Sequence, residues 1–104
     1  MKIRRGTDKD IKFSTPYESA QVASGCVSFA QRGTVVIDKK IGSEGVTIGD
    51  YSLTVSLTEK ETLSLTEVDK CKIQGRFRLD NGKKRASNIL VAEVEGILKD
   101  GELE

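Results

Sequence analysis

The sequence contains no histidine and no tryptophan. Without histidine, the commonest general base and the commonest nitrogen ligand for metals are missing. The two cysteines, Cys26 and Cys71, are too few for a thiolate zinc site in such a chain. Aromatic residues amount to three Phe and two Tyr, so a base-stacking platform or a broad sugar-stacking surface is not on offer. No apolar run is long enough to span a bilayer. Met1-Lys2-Ile3-Arg4-Arg5-Gly6 has basic residues with no apolar stretch after them, so it does not read as a signal peptide. Charge is balanced, with 17 Lys+Arg against 16 Asp+Glu, which gives no strong field toward nucleic acid or an acidic membrane. The expectation is a protein made in the cytoplasm that is not an enzyme. It would carry no catalytic, cofactor-binding or metal-binding residues, use no cofactor, and bind neither nucleic acid nor membrane.

What is present is β-sheet patterning. A chain of 104 residues reads as a single domain over 1–104. Its organising stretch is Asp69 to Val94, a long hairpin. Cys71, Ile73, Gly75, Phe77 and Leu79 are apolar or small, and Lys70, Lys72, Gln74, Arg76 and Arg78 lie between them. This period of two marks a strand with one buried face. Asn81-Gly82, inside Asp80-Asn81-Gly82-Lys83, suits a type I′ turn. If Asp80 pairs with Lys83, then Phe77 opposes Ala86, Ile73 opposes Leu90 and Cys71 opposes Ala92, so both strands bury the same face. Lys70 then meets Glu93, and Arg78 meets Arg85 as a like-charge mismatch. A helix over Ser87 to Leu98 is the rival, weakened by Gly96.

Before the hairpin, Ile3 sits in a short strand and Arg5-Gly6-Thr7-Asp8 forms a bend. Ile11 and Phe13 mark a second strand. Thr15 to Ser19 is a turn or loop around Pro16, and Ala20 to Ser24 is open between loop and helical turn. Cys26 to Ala30 and Thr34 to Lys39 are strands joined tightly at Gln31-Arg32-Gly33. Ile41 to Gly45 is a loop, Val46 to Ile48 a strand, and Gly49-Asp50 a turn. Tyr51, Leu53, Val55 and Leu57 share an inward face. Thr58-Glu59-Lys60-Glu61 is a capping box that starts a helical turn through Leu63. Asp100 to Glu104 reads as a frayed tail. About seven or eight short strands predict an all-β fold, an antiparallel immunoglobulin-like β-sandwich with one short helical turn near residues 59–63. A small barrel is the alternative.

Few features point to chemistry. Cys26 and Cys71 are expected as two separate thiols, with a bridge between the two sheets as the rival. Asp8, Asp10, Asp38 and Asp50 lack calcium-loop spacing and read as solvated carboxylates. Lys70, Lys72, Arg76, Arg78, Lys83, Lys84 and Arg85 form a basic stripe. With no interleaved aromatics, it reads as the solvated outer face of a sheet that blunts edge pairing. Tyr17 and Tyr51 are the tyrosines available for an aromatic binding patch.

The order of segments carries a resemblance. Arg5-Gly6-Thr7 precedes the strand with Ile11 and Phe13. Val27-Ser28-Phe29-Ala30-Gln31-Arg32-Gly33-Thr34-Val35-Val36 makes a strand–turn–strand. Leu53-Thr54-Val55-Ser56-Leu57-Thr58-Glu59-Lys60-Glu61-Thr62-Leu63 leads to the Asp80-Asn81-Gly82-Lys83 tip. Ser87-Asn88-Ile89 and Ile97-Leu98-Lys99-Asp100-Gly101 follow. This resembles the small phage and prophage structural proteins of Gram-positive bacteria, and is similar to the N-terminal module of upper baseplate proteins. The resemblance implies a stand-alone tail or baseplate accessory subunit, a virion component. It would act through protein–protein association with other phage structural proteins or with copies of itself, using edge strands and the Ile41–Gly45 loop. The alternative is a stand-alone immunoglobulin-like module that binds carbohydrate or a surface.

Overall fold

The computed structural model describes residues 1–43 and 45–103. Glu44 in the Ile41–Gly45 loop and Glu104 in the tail lie outside the described residues. The strands are β1 (Lys2–Arg4), β2 (Lys9–Ser14), β3 (Val22–Gln31), β4 (Thr34–Lys40), β5 (Val46–Gly49), β6 (Ser52–Leu57), β7 (Cys71–Leu79), β8 (Lys84–Ala86) and β9 (Leu90–Glu95). A 3-10 turn, Ser19–Gln21, precedes β3, and helix α1 spans Glu59–Leu63. The larger sheet has the order β1-β9-β7-β3-β4, with β8 also on β7, and the smaller has the order β2-β6-β5. Taking β3, β4, β7 and β9 as the strands C, C′, F and G, and β2, β5 and β6 as B, D and E, this is an immunoglobulin-like sandwich. The pairing of β1 with β9 is parallel, and the other ladders are antiparallel.

The period-two pattern explains the core. Cys71, Ile73, Gly75, Phe77 and Leu79 of β7 are all buried. Beside them Val27 and Phe29 of β3 are fully enclosed. From the other sheet come Ile11, Phe13, Leu53, Val55 and Leu57. Each buried aliphatic or phenylalanine contributes about 1.5–3 kcal/mol relative to exposure. The buried polar side chains are tied in. Gln31 donates from Nε2 to the carbonyls of Thr66 and Asp69 at 2.8 and 2.9 Å, and its Oε1 accepts from Thr66 N at 2.9 Å. Thr62 Oγ1 donates to Thr7 O at 2.8 Å. These bonds fasten α1 and its flanking loops to the sandwich.

The long hairpin keeps the expected register at its base, with Cys71 opposite Ala92 and Ile73 opposite Leu90. Its tip differs. Leu79 N donates to Lys83 O, Gly82 N donates to Leu79 O, and only Gly82 is left-handed, at φ 84°. The turn is therefore a three-residue loop closed by a left-handed glycine rather than a type I′ turn. Near the tip Phe77 faces Arg85, Arg76 faces Ala86 and Arg78 faces Lys84. Ala86 is consequently exposed instead of lining the core. The return strand is split into β8 and β9 by Ser87-Asn88-Ile89. Two-residue I′ geometry occurs instead between β3 and β4, where Gln31 pairs with Thr34 and Arg32 and Gly33 have φ of 53° and 74°.

Two further expectations are corrected. Tyr51 does not begin the inward face of β6. The β5–β6 turn is Asp50-Tyr51, between the paired Gly49 and Ser52, and Tyr51 is left-handed at φ 59° and 55% exposed. A turn residue is off the pleat, so the inward alternation begins two positions later, at Leu53. Of the Ala20–Ser24 stretch, open between loop and helical turn, Ala20 and Gln21 belong to the 3-10 turn and residues 22–24 extend β3. The tail is not wholly free, since Asp100 pairs with Arg5 at 3.0 Å and Leu103 N donates to Glu59 at 3.1 Å.

Candidate functional site

Cys26 and Cys71 lie in the same sheet rather than across the two. Cys26 pairs with Arg76 on β7, one position off the inward Val27, so its side chain faces outward. Cys71 is buried among core residues. Opposite faces of one sheet preclude a bridge, and both thiols are free. Burial pushes the Cys71 thiol up to about 11.

The four aspartates have separate duties. Asp8 Oδ1 accepts from Glu59 N at 2.9 Å, Asp38 accepts from Ser28 Oγ at 2.9 Å, and Asp50 accepts from both Ser19 N and Ser19 Oγ at 2.9 Å. Asp10 stands on β2 opposite Ser56. Among the described residues no group of three His, Cys, Asp or Glu is arranged to hold a metal. The Ser19 N–H, followed by its hydroxyl, holds the exposed Asp50 carboxylate below its ordinary range.

The structure adds a pair that sequence reading missed. Lys39 pairs with Val27 and so points inward from β4. Its Nζ is 2.8 Å from Ser56 O and 2.9 Å from Glu61 Oε1. Glu61 also accepts from Thr58 N at 3.0 Å, completing the expected capping box. Burial opposes ionisation of Glu61, but the Thr58 N–H and the Lys39 ammonium outweigh it, and the carboxyl lies below the usual glutamate value. The pair sits in an open groove of about 710 Å³ beside Asp8, Asp10 and Gly45. A lysine between Asp38 and Lys40 gives no sequence signal for an inward position unless the register is known.

The basic stripe is exposed. Lys72, Arg76 and Arg78 occupy the outer face of β7, with Lys84 and Arg85 on β8. Beneath Arg76 and Arg78 is a shallow hollow of about 240 Å³ that includes Ser24 and Cys26. Tyr17 and Tyr51 are brought together by Tyr51 N donating to Tyr17 O at 2.8 Å, and Tyr51 Oη donates to Glu18 at 3.1 Å. Tyr17 is half-buried and stacks edge-on against Phe77 at 6.4 Å.

Strand edges are the remaining candidates. β4 ends the larger sheet, and β2 and β5 end the smaller. On β4 the ladder slips between Phe29 and Ala30, which leaves Val36 as an extra residue. Val35 and Val36 are 55% and 39% exposed. A second groove, of about 450 Å³, opens between β2 and the β8–β9 connection.

No protein-family model matches the sequence. No curated protein matches it either. A solved structure of murine CRIg is similar over 93% of this chain and 91% of that one, at 9% identity and a TM-score of 0.44.

Proposed function

We propose that this chain is a non-enzymatic structural subunit that works by protein–protein association, of the kind built into phage and prophage tails and baseplates. It would be a virion component made in the bacterial cytoplasm, with other structural subunits or further copies as its neighbours. The observation that carries this reading is the outer edge of β4, which has no partner strand among the described residues. Edge strands are usually blunted by charge, bulges or inward-pointing ionic side chains. The second half of β4 has such protection in Asp38, Lys39 and Lys40. Its first half, Thr34–Ile37, has the bulge at Val36 but carries no charge, and it exposes Val35 and Val36. Such an edge accepts a strand from a neighbour. The segment resemblance set out above supports the assignment to phage particles.

Light scattering on the protein co-expressed with the products of its flanking genes tests this reading. Mixed or multiple-copy particles in the wild type, lost in Val35→Lys/Val36→Lys, support it. A protein that stays monomeric and unbound overturns it.

A second reading has one observation in its favour. Tyr51 presents an exposed ring beside Tyr17, Glu18 and Asp50, as an immunoglobulin-like carbohydrate- or surface-binding module requires. Titration with a panel of cell-wall glycans, comparing wild type with Tyr51→Ala, tests it. Binding abolished in the variant supports that reading, and no binding by the wild type removes it.

A further inference from the structure

The groove between β2 and the β8–β9 connection lies where the sandwich lacks a strand. β1 covers the outer edge of β9 only from Glu93 to Glu95. Beyond it, Leu90–Ala92 has β7 on one side and no described strand on the other. The N–H groups of Asn88 and Ile89 find no acceptor among the described residues. Across the groove β2 is itself a terminal strand, with Lys12 and Ser14 on the rim. Two bare edges facing one groove suit an extended occupant, which can satisfy their backbone groups as a helix cannot.

The lining sets the chemistry of that occupant. Phe13, Phe77 and Leu90 contribute apolar surface, with Pro16 and Tyr17 at one end. Among the described lining residues there is no carboxylate, and Lys12 is the charged one. On adjoining β8, Arg85 lies opposite Phe77 and so on the inner side of the sheet, whereas Lys84 lies opposite Arg78 on the outer face. Neither Lys12 nor Arg85 enters an ion pair among the described residues. An extended chain presents alternate side chains to opposite sides. One set would meet the apolar lining, and the other the cationic rim.

We infer that this groove receives an extended segment of a neighbouring subunit in which apolar and acidic residues alternate. The inference rests on the structural-subunit reading and names how one of its contacts is made. Backbone bonds to the bare edges supply affinity, apolar side chains on Phe13, Phe77 and Leu90 set register, and carboxylates against Lys12 and Arg85 select for acidic sequences.

The probe is a capped peptide of alternating valine and glutamate, titrated into the labelled full chain while backbone amide resonances are recorded. A valine–lysine peptide of equal length is the control. Shifts concentrated at 12–17 and 86–90, absent with the lysine control, support the inference. Binding should weaken by about tenfold or more in Lys12→Glu/Arg85→Glu, whose exposed positions leave the core intact. Unmoved amides at millimolar peptide, or equal response to both peptides, overturn it. If the groove amides stay still while the protein assembles with its neighbours, the groove assignment fails and the subunit reading stands. If they shift in a protein that never assembles, the subunit reading fails.

Discussion

Phe77 faces Arg85 across the β7–β8 ladder, while Ile73, four residues earlier on the same strand, faces Leu90, five residues after Arg85. The return strand therefore holds one extra residue, and Ser87 secures the irregularity. Ser87 N donates to Gly75 O at 2.8 Å, its Oγ accepts from Gly75 N at 2.9 Å, and its carbonyl accepts from Gln74 Nε2 at 3.0 Å. Ser87→Ala leaves the Gly75 N–H without its acceptor and should destabilise the fold by about 1–2 kcal/mol. Urea unfolding measures this, and an unchanged midpoint would show that the hydroxyl does not hold the bulge.

Acid should weaken the fold through Glu61 and Asp50. Both carboxyls lie below their ordinary values of 4.5 and 3.8. A carboxyl depressed in the folded state stabilises above its unfolded value, and that stabilisation is lost as pH falls through the folded one. Stability should therefore be flat near neutrality and decline below about pH 4.5, the ordinary Glu value. Glu61→Gln should be less stable than wild type at neutral pH and should converge toward it in acid. A constant gap between the two across the titration would contradict the Lys39–Glu61 assignment.

The thiols should behave differently. Cys26 is partly exposed on the outer face, whereas Cys71 is enclosed and its thiol is pushed up to about 11. A thiol reagent at neutral pH should modify Cys26 in the folded protein and reach Cys71 only after unfolding. Mass spectrometry of the labelled peptides decides it. Equal labelling of both in native buffer would contradict the burial of Cys71.

Tyr51 occupies left-handed backbone, a conformation glycine adopts without strain. Tyr51→Ala and Tyr51→Gly both lose the ring and its bond to Glu18, so their difference isolates the backbone. The glycine variant should be the more stable by about 1 kcal/mol, since left-handed geometry costs a residue with a Cβ about that much or slightly more. Thermal unfolding of the two variants is the check, and a less stable glycine variant would contradict the turn geometry.

Much of the sandwich was legible because a half-buried strand writes its faces into the sequence. β7 alternates without a break, and the Thr58–Glu61 box fixes the start of α1. The errors fall where a loop, not a strand, decides geometry. Asn81-Gly82 fits two turn types that differ by one residue, and the extra residue is absorbed at Ser87, which has no distinctive signal. Tyr51 continued an alternation that the Asp50-Tyr51 turn had already broken. The docking candidates were legible only in outline. Bare edges depend on which strands end each sheet, and the gap beside Leu90–Ala92 exists because β1 pairs with only the second half of β9. The inward turn of Lys39 likewise depends on the β3–β4 register.

The most direct test of the central claim, that this domain acts by associating with other proteins, is its mass in solution when produced with its genomic neighbours. Light scattering should give a particle heavier than a single copy, reduced by Val35→Lys/Val36→Lys. A single-copy mass at every concentration, with and without the neighbours, would contradict the account.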